Sequence, residues 1–278
     1  MLTCVGVMGM VIGAGVGSRS LRLFGLDWRL LDLNPTKIEY LQYTWNPLVG
    51  CSGIGCAVAK ACWARGQAKR QKPKYAEEAP IKGELVRGCQ DCYDFKPHYH
   101  LERVNQPLLV KKPARIGVCF MGDLFDKSAL LSPLQRIFNV MGAAFWHTFI
   151  VLTKQPQNIP LDLVFPSNVW LGVSVNLQAD LWRVEELKKR KAALKFVSFE
   201  PLFEEITDLH HSWLDLSGID WVIIGAQKRP NLQPEEQWVG NLIMKAFDAG
   251  AKVFLKNNLA CIDKFGRLQE IPEVRSNA

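Results

Sequence analysis

The sequence lacks a hydrophobic run long enough to cross a membrane. Its most apolar stretch, residues 1–17, is repeatedly interrupted by glycine and has no Lys or Arg before it. A membrane helix needs about 20 apolar residues, and a secretory signal begins with positive charge. We therefore expect a cytoplasmic protein with no membrane association.

The sequence also lacks the evenly spread cysteines of a small disulfide-stabilised protein. It has 8 cysteines in 278 residues, and five of them lie between Cys51 and Cys92. The whole chain is 48% hydrophobic and can bury a large core without cross-links. Clustered thiols in a reducing compartment instead indicate metal binding.

Neither sign of charge is scarce, but the balance is basic. There are 34 Lys and Arg against 27 Asp and Glu, which gives a net charge of +7 and a pI near 9.0. A basic excess of this size favours an anionic partner, either nucleic acid or a nucleotide-type substrate. The charged residues Arg65, Lys69, Arg70, Lys72 and Lys74 form one basic run.

The glycine-rich residues 11–18 resemble the opening of a dinucleotide-binding unit. No strand–helix–strand unit can be completed before Pro35, however, which argues against dinucleotide binding. We instead expect residues 1–35 to be a poorly ordered extension or the product of a misassigned start codon.

Downstream of Lys37, short β-rich runs alternate with amphipathic stretches. The runs are at 43–45, 116–121, 148–152, 169–173, 195–199, 221–224 and 253–255, and the longest amphipathic stretches are at 131–141, 179–190 and 235–249. Nearly continuous hydrophobic strands are typical of a parallel sheet that is covered on both faces. The pattern predicts an α/β fold, a partial parallel (β/α) barrel of six to seven units over residues 36–260. This predicted fold has a Cys/His-rich insertion at 62–113 after the first strand and a C-terminal tail at 261–278. The competing prediction is a doubly wound open sheet.

Polar residues follow the predicted strands. They are Asp123, preceded by Gly122, then Lys154, Ser174 with Asn176, Glu200, and Lys256. In both candidate architectures the carboxyl ends of parallel strands meet at one edge, which is where ligands bind. We therefore expect these side chains to line a single site.

Two groups of metal-ligating residues lie near the first strand. Cys51, Cys56 and Cys62 follow it directly, and three thiols without a fourth suit an iron–sulfur centre with one open position. Cys89 and Cys92 form a second pair that His98 or His100 could complete as a zinc site. Alternatively, this pair could join Cys51 or Cys62 in one closed zinc site.

Several segments together resemble a phage-associated family of three-cysteine-motif proteins that is similar to radical-SAM enzymes. These segments are Thr44-Trp45-Asn46-Pro47 with Gly50-Cys51, and those at 120–123, 152–154, 168–175, 196–202, 220–225 and 254–256. The resemblance covers residues 37–259 and implies a TIM-barrel-like radical-SAM fold. The spacing of the three cysteines differs from the usual C-x-x-x-C-x-x-C, since four and five residues separate them.

Our leading hypothesis from this resemblance is a radical-SAM enzyme. Cys51, Cys56 and Cys62 would hold a 4Fe-4S cluster whose free iron binds S-adenosylmethionine. Gly122, Asp123, Ser174 and Asn176 would form the cofactor-binding set, and Glu200, Lys154 and Lys256 the catalytic set. Such an enzyme needs an electron donor, and a protein partner is also compatible with this hypothesis.

Two alternatives belong to other functional classes. One is a non-catalytic, zinc-stabilised nucleic-acid-binding protein, in which the five clustered cysteines and His100 form one or two closed metal sites and the basic run contacts phosphate. The other is a nucleotide-processing hydrolase, which would need a cluster of metal-binding carboxylates.

Overall fold

The computed structural model describes residues 33–75, 85–128, 131–207 and 214–273. Within them the strands are β1 (Asn34–Pro35), β2 (Tyr43–Trp45), β3 (Leu48–Val49), β4 (Lys74–Tyr75), β5 (Leu85–Arg87), β6 (His98–Tyr99), β7 (Arg115–Val118), β8 (Thr148–Thr153), β9 (Val169–Ser174), β10 (Leu194–Phe199), β11 (Trp221–Ile224) and β12 (Lys252–Leu255). The α-helices are α1 (Trp63–Ala68), α2 (Gln90–Asp94), α3 (Gln106–Leu109), α4 (Leu131–Ala143), α5 (Trp182–Lys188) and α6 (Glu236–Asp248).

Eight of these strands form one sheet in the order β1-β2-β7-β8-β9-β10-β11-β12. Within this sheet, the seven strands β2, β7, β8, β9, β10, β11 and β12 pair in parallel, whereas β1 pairs with β2 in the antiparallel direction. Each new parallel strand is added on the same side, so the order does not reverse as it does in a doubly wound sheet. The predicted parallel α/β class is confirmed, and the sheet is open rather than closed into a barrel.

The sheet is buried on both faces, as its continuous hydrophobic strands predict. On one face Phe149 and Val151 belong to the large core that includes the apolar sides of α4, α5 and α6. On the other face Tyr40, which precedes β2, packs edge-on against Trp221 and Phe254, with ring centroids 5.3 and 5.5 Å apart. Burial of a large apolar side chain contributes about 1.5–3 kcal/mol, so both layers stabilise the sheet.

The insertion at 62–113 lies between β3 and β7, and its strands are not part of the main sheet. Its described parts contain α1, the antiparallel β4–β5 pair, α2, β6 and α3. Strand β6 pairs antiparallel with β3, with Leu48 opposite Tyr99 and Val49 opposite His98. The insertion therefore packs beside the strand that leads into Cys51.

The predicted N-terminal extension, 1–35, lies outside the described residues except for its last three. Of these, Asn34 and Pro35 form β1. The predicted tail, 261–278, is described as far as residue 273. It packs on the edge of the sheet, since the amide of Leu255 donates to the Leu268 carbonyl (2.7 Å) and that of Glu270 to the Val253 carbonyl (2.9 Å).

Candidate functional site

Asp123 joins the carboxyl ends of β7 and β8. Its Oδ1 accepts hydrogen bonds from Thr153 Oγ1 (2.7 Å) and the Phe125 amide (3.0 Å), and its Oδ2 accepts one from the Lys154 amide (2.8 Å). Burial raises the pKa of this carboxyl above its ordinary value. Since protein donors bind both oxygens, Asp123 holds the two strand ends in place.

Asp126 ties the segment between Cys51 and Cys62, which we call the three-cysteine loop, to the same edge of the sheet. Its Oδ2 accepts from the amide (2.8 Å) and the hydroxyl (2.6 Å) of Ser52 and from Gln155 Nε2 (2.8 Å). Its Oδ1 accepts from the amide (3.0 Å) and the hydroxyl (2.6 Å) of Ser128. Burial alone would raise the pKa of Asp126, but the hydrogen bonds from Ser128 and Ser52 outweigh it and lower the pKa to about 2.

Arg183 ties the same loop to the end of β9. The guanidinium is 2% exposed and donates to the Ser174 carbonyl (2.8 Å) and to the Gly55 carbonyl (2.7 Å). Asp180, 2.8 Å from the guanidinium, balances its charge. A buried ion pair with these additional hydrogen bonds is a specific positional constraint on the loop.

The three thiols of the loop are half-buried. Cys62 begins α1, where its Sγ accepts a hydrogen bond from the Arg65 amide at 3.5 Å. Burial raises the pKa of the Cys51 thiol to about 11, with the neighbouring Asp123 and Cys62 adding to the shift. Cys51 and Cys62 pack with Met121 against a small apolar cluster of Ala64, Ala68 and Phe95.

Cys89, Cys92, His98 and His100 converge on one point. Their four candidate ligand atoms all lie within 4.8 Å of one another. The Nε2 atom of His98 is 3.3 Å from Cys89 Sγ, 3.4 Å from Cys92 Sγ and 2.9 Å from His100 Nε2, which is itself 3.1 Å from Cys92 Sγ. This Cys2His2 group could hold a metal ion, and it contains both histidines that the sequence offered as alternatives.

The surroundings of this group orient its ligands. His98 Nδ1 is 2.8 Å from the Lys96 carbonyl, and His100 Nδ1 is 2.7 Å from Glu102 Oε1, so each ring turns its Nε2 toward the thiols. Burial, followed by the charge of Arg103, lowers the pKa of His100. Burial, followed by the proximity of Cys89, raises the pKa of Cys92 to about 12.

Two of the three predicted catalytic residues meet at the ends of β10 and β12. Lys256 Nζ lies 3.2 Å from Glu200 Oε1 and 2.8 Å from Glu39 Oε2. Gly225, at the end of the intervening β11, makes this possible: a Cβ there would lie 2.9 Å from Glu200 Cγ and 3.0 Å from Lys256 Cγ. Burial alone would lower the pKa of Lys256, but Glu200 and Glu39 outweigh it and raise the pKa.

The other predicted site residues lie elsewhere along the same edge. Lys154 follows β8, two strand spacings or about 10 Å from β10, and is near Asp123. Gly122 forms a parallel bridge with Gly50. Ser174 and Asn176 are buried, and the Asn176 amide nitrogen donates to the Pro201 carbonyl (2.9 Å) while its Oδ1 has no hydrogen-bond partner.

Three residues of the site, Arg183, Asp126 and Glu39, were not predicted from the sequence. Arg183 precedes the buried Leu187 by four residues, and a cation on the apolar face of a helix is a signal that was available in the sequence. Asp126 follows Asp123 by three residues in the same strand-end loop. Glu39 has no such signal, because it reaches Lys256 from the opposite end of the chain.

Three further cysteines lie outside the two cysteine groups. Cys119 is buried in the main core and Cys261 is half-buried, while Cys4 lies outside the described residues. No set of carboxylates in the described ranges groups as a metal site, as the hydrolase alternative would need. None of the helices in that part of the chain is long and apolar enough to span a membrane.

Comparison with curated proteins and with solved structures finds no match to this chain. A family model does match residues 35–264, which is most of the chain and nearly the range over which the strand-end motifs occur. The chain therefore belongs to the DUF5131 family, which is described as a protein of unknown function.

Proposed function

We propose that this protein is a radical-SAM-like iron–sulfur enzyme acting on a nucleic acid or nucleotide. Cys51, Cys56 and Cys62 would hold a 4Fe-4S cluster with one iron free for S-adenosylmethionine. The observation that carries the proposal is that Cys89 and Cys92 face two histidines. Those two thiols are thereby engaged elsewhere, and the three-cysteine loop keeps a set of three.

The position of the loop supports this proposal. It follows β2 and β3 and is anchored by Asp126 and Arg183 at the carboxyl ends of β7, β8 and β9. Ligands of parallel α/β sheets bind at this edge. The ligands of a cluster are spread over several irons, so they need not meet at one point as the Cys2His2 atoms do.

Residues of the chain have separate roles in the proposed reaction. When bound, the cluster and S-adenosylmethionine would supply reductive cleavage of a carbon–sulfur bond and hydrogen abstraction from the substrate. Asp123 would position the loop after β7, and the unpartnered Oδ1 of Asn176 would accept a hydrogen bond from the nucleoside. Lys256, kept protonated by Glu200 and Glu39, would bind an acceptor group of the substrate.

An anionic substrate is supported by the surface beside the loop. Arg65, Lys69 and Arg70 are exposed on α1 and directly after it, within eight residues of Cys62 in the sequence. Lys69 lies over the half-buried Tyr93 ring at 4.3 Å. Exposed cations beside a partly exposed aromatic ring are components of surfaces that bind single-stranded nucleic acid.

Anaerobic reconstitution with iron and sulfide tests the cluster. We expect a brown protein whose reduced form cleaves S-adenosylmethionine to 5′-deoxyadenosine, measured by chromatography. C51A, C56A and C62A should each lose iron and cleavage, whereas the matched control C261A should keep both. Zinc bound by these three thiols, or an intact cluster without cleavage, would overturn the proposal.

Assays on the same protein preparation distinguish this proposal from the alternative of a zinc-stabilised nucleic-acid-binding protein. It predicts salt-sensitive binding of nucleic acid that is unchanged in C51A, C56A and C62A. It also predicts no product from S-adenosylmethionine.

A further inference from the structure

We propose that Cys89, Cys92, His98 and His100 bind one structural zinc ion, and that this ion holds the strand from which the three-cysteine loop starts. The inference does not rest on the proposed cluster, because the two sets of ligands share no residue. Both parts can be tested on protein that contains no iron.

The four ligand atoms are arranged as one tetrahedral ion requires. Zinc–sulfur bonds of about 2.3 Å and zinc–nitrogen bonds of about 2.0 Å place tetrahedral ligands roughly 3.3–3.8 Å apart. The four contacts involving the histidine Nε2 atoms measure 2.9, 3.1, 3.3 and 3.4 Å. The two remaining pairs, Cys89 Sγ with Cys92 Sγ and with His100 Nε2, lie within 4.8 Å. One ion placed among the four atoms therefore needs only local shifts of these side chains.

Local structure explains why these residues meet. Cys89 caps the N-terminus of α2, and its Sγ accepts from the Cys92 amide at 3.5 Å, so the helix turn brings both thiols together. Phe95, with φ of 59°, ends the helix and reverses the chain. His98 and His100 are two residues apart in extended chain, which places them on the same side.

The ligand chemistry favours zinc in a closed, structural site. Two thiols and two imidazoles are a common structural zinc set, and all four positions are filled by the protein. The Lys96 carbonyl and the Glu102 carboxylate accept from the outer nitrogens of His98 and His100. Such outer contacts select the ring orientation and make the imidazole a better ligand.

The site is connected directly to the three-cysteine loop. The His100 amide donates to the Pro47 carbonyl (2.7 Å), and His98 lies opposite Val49 in the β3–β6 pair. Gly50 has φ of +81°, and a Cβ there would lie 2.4 Å from the Lys96 carbonyl oxygen. Cys51 therefore follows a backbone segment that rests on the chain between the zinc ligands.

Metal analysis of the full-length chain tests the zinc site. We expect about one zinc per chain in the wild type and in the C51A/C56A/C62A triple variant, and loss of that zinc in C89A/C92A. Cobalt substitution should give the visible bands of a tetrahedral ion with thiolate ligands. Zinc retained by C89A/C92A, or lost from the triple variant, would overturn the assignment.

A ligand exchange keeps the test decisive if C89A/C92A does not fold. His98→Cys should still bind one metal, because Cys3His is also a structural zinc set, and its cobalt form should show stronger sulfur charge-transfer absorption. His98→Ala should bind metal more than about 100-fold more weakly, because loss of a ligand costs more than the 10–100-fold seen when a contact that supports a ligand is lost. Equal metal affinity in the two variants would contradict ligation by His98.

Hydrogen exchange tests the coupling to the loop. Removal of zinc by a chelator should raise amide exchange severalfold in residues 48–52. Exchange in α6, which lies next to β12 at the far end of the sheet from β2, should not change. Unchanged exchange at 48–52 after confirmed loss of zinc would overturn the coupling. The result is independent of S-adenosylmethionine cleavage, so its failure is distinguishable from failure of the proposed function.

Discussion

At the scale of single residues, the candidate site depends on buried charges whose partners lie far away in the sequence. Asp126 binds Ser52, and Arg183 binds the Gly55 carbonyl. Neither side chain was selected from the sequence, because a lone Asp or Arg is common on protein surfaces. The position of Arg183 on the apolar face of its helix indicates burial, but the partners of both side chains in the loop are properties of the folded chain.

Asp126→Asn should destabilise the protein at neutral pH by about 1–2 kcal/mol, because the neutral amide loses the charge that five hydrogen bonds stabilise. The folded pKa of about 2 lies below the ordinary value, so this stabilisation is present above pH of about 4. It is lost as the pH falls toward 2. Urea unfolding at pH 7, 4 and 3 should therefore show the difference from wild type shrinking at acid pH.

The exposed Asp162 provides the matched control. Asp162→Asn should change stability by less than about 0.5 kcal/mol at every pH. A constant difference between wild type and Asp126→Asn from pH 7 to pH 3 would contradict the role assigned to the Asp126 charge.

Arg183→Leu should lower the free energy of unfolding by about 3 kcal/mol or more. The change leaves Asp180 buried without its ion-pair partner and the Ser174 and Gly55 carbonyls without their donors. Lys189→Leu on the exposed side of the same region removes only a surface ion pair and should cost less than about 1 kcal/mol. Equal losses in urea titrations of the two variants would show that the Arg183 contacts are not a specific constraint.

At the scale of elements, the strands were predicted more accurately than the small elements of the insertion. Seven buried parallel strands match the seven β-rich runs, because continuous apolar runs leave few other options for the backbone. The insertion contains strands of two or three residues and helices of four to six. Elements this short have little periodicity, so contacts with the rest of the fold decide their structure.

Gly225→Ala tests how β11 allows Glu200 and Lys256 to meet. The new methyl group would collide with both side chains and should destabilise the protein by about 1–3 kcal/mol, measured by thermal or urea unfolding. Gly240→Ala in α6 is the control. Its new methyl group would make an ordinary van der Waals contact with Phe265, and the substitution replaces a glycine inside a helix. It should stabilise the protein by about 0.5–1 kcal/mol. A neutral Gly225→Ala would show that Glu200 and Lys256 do not need this space.

At the scale of the whole molecule, the positions of the basic side chains decide which face could bind an anionic partner. The net charge of +7 does not identify a binding face. In the structure Arg70, Lys72 and Lys74 are exposed in the segment that follows α1, within 12 residues of Cys62 in the sequence. Lys189, Lys191 and Lys252 are exposed near the amino ends of β10 and β12, at the opposite edge.

Replacing Arg70, Lys72 and Lys74 together with Gln should weaken binding of single-stranded nucleic acid about 10-fold at low salt. If all three contact phosphates, the slope of log affinity against log salt should fall by about 2 in magnitude. The same replacements at Lys189, Lys191 and Lys252 keep the net charge equal and should leave the slope unchanged. Fluorescence anisotropy over a salt series measures both, and equal effects of the two triple variants would exclude a localised face.

The sequence alone determined the parallel α/β class, the location of most strands and the two groups of cysteines. Hydrophobic periodicity and short-range spacing carry that information, because they depend on neighbouring residues. Three matters were decided only by the tertiary structure: the open sheet, the pairing of Cys89 and Cys92 with His98 and His100, and the contact of Lys256 with both Glu39 and Glu200. Each depends on which segments the fold brings together. Glu39 and Lys256 are so far apart in the sequence that no spacing pattern indicates their contact.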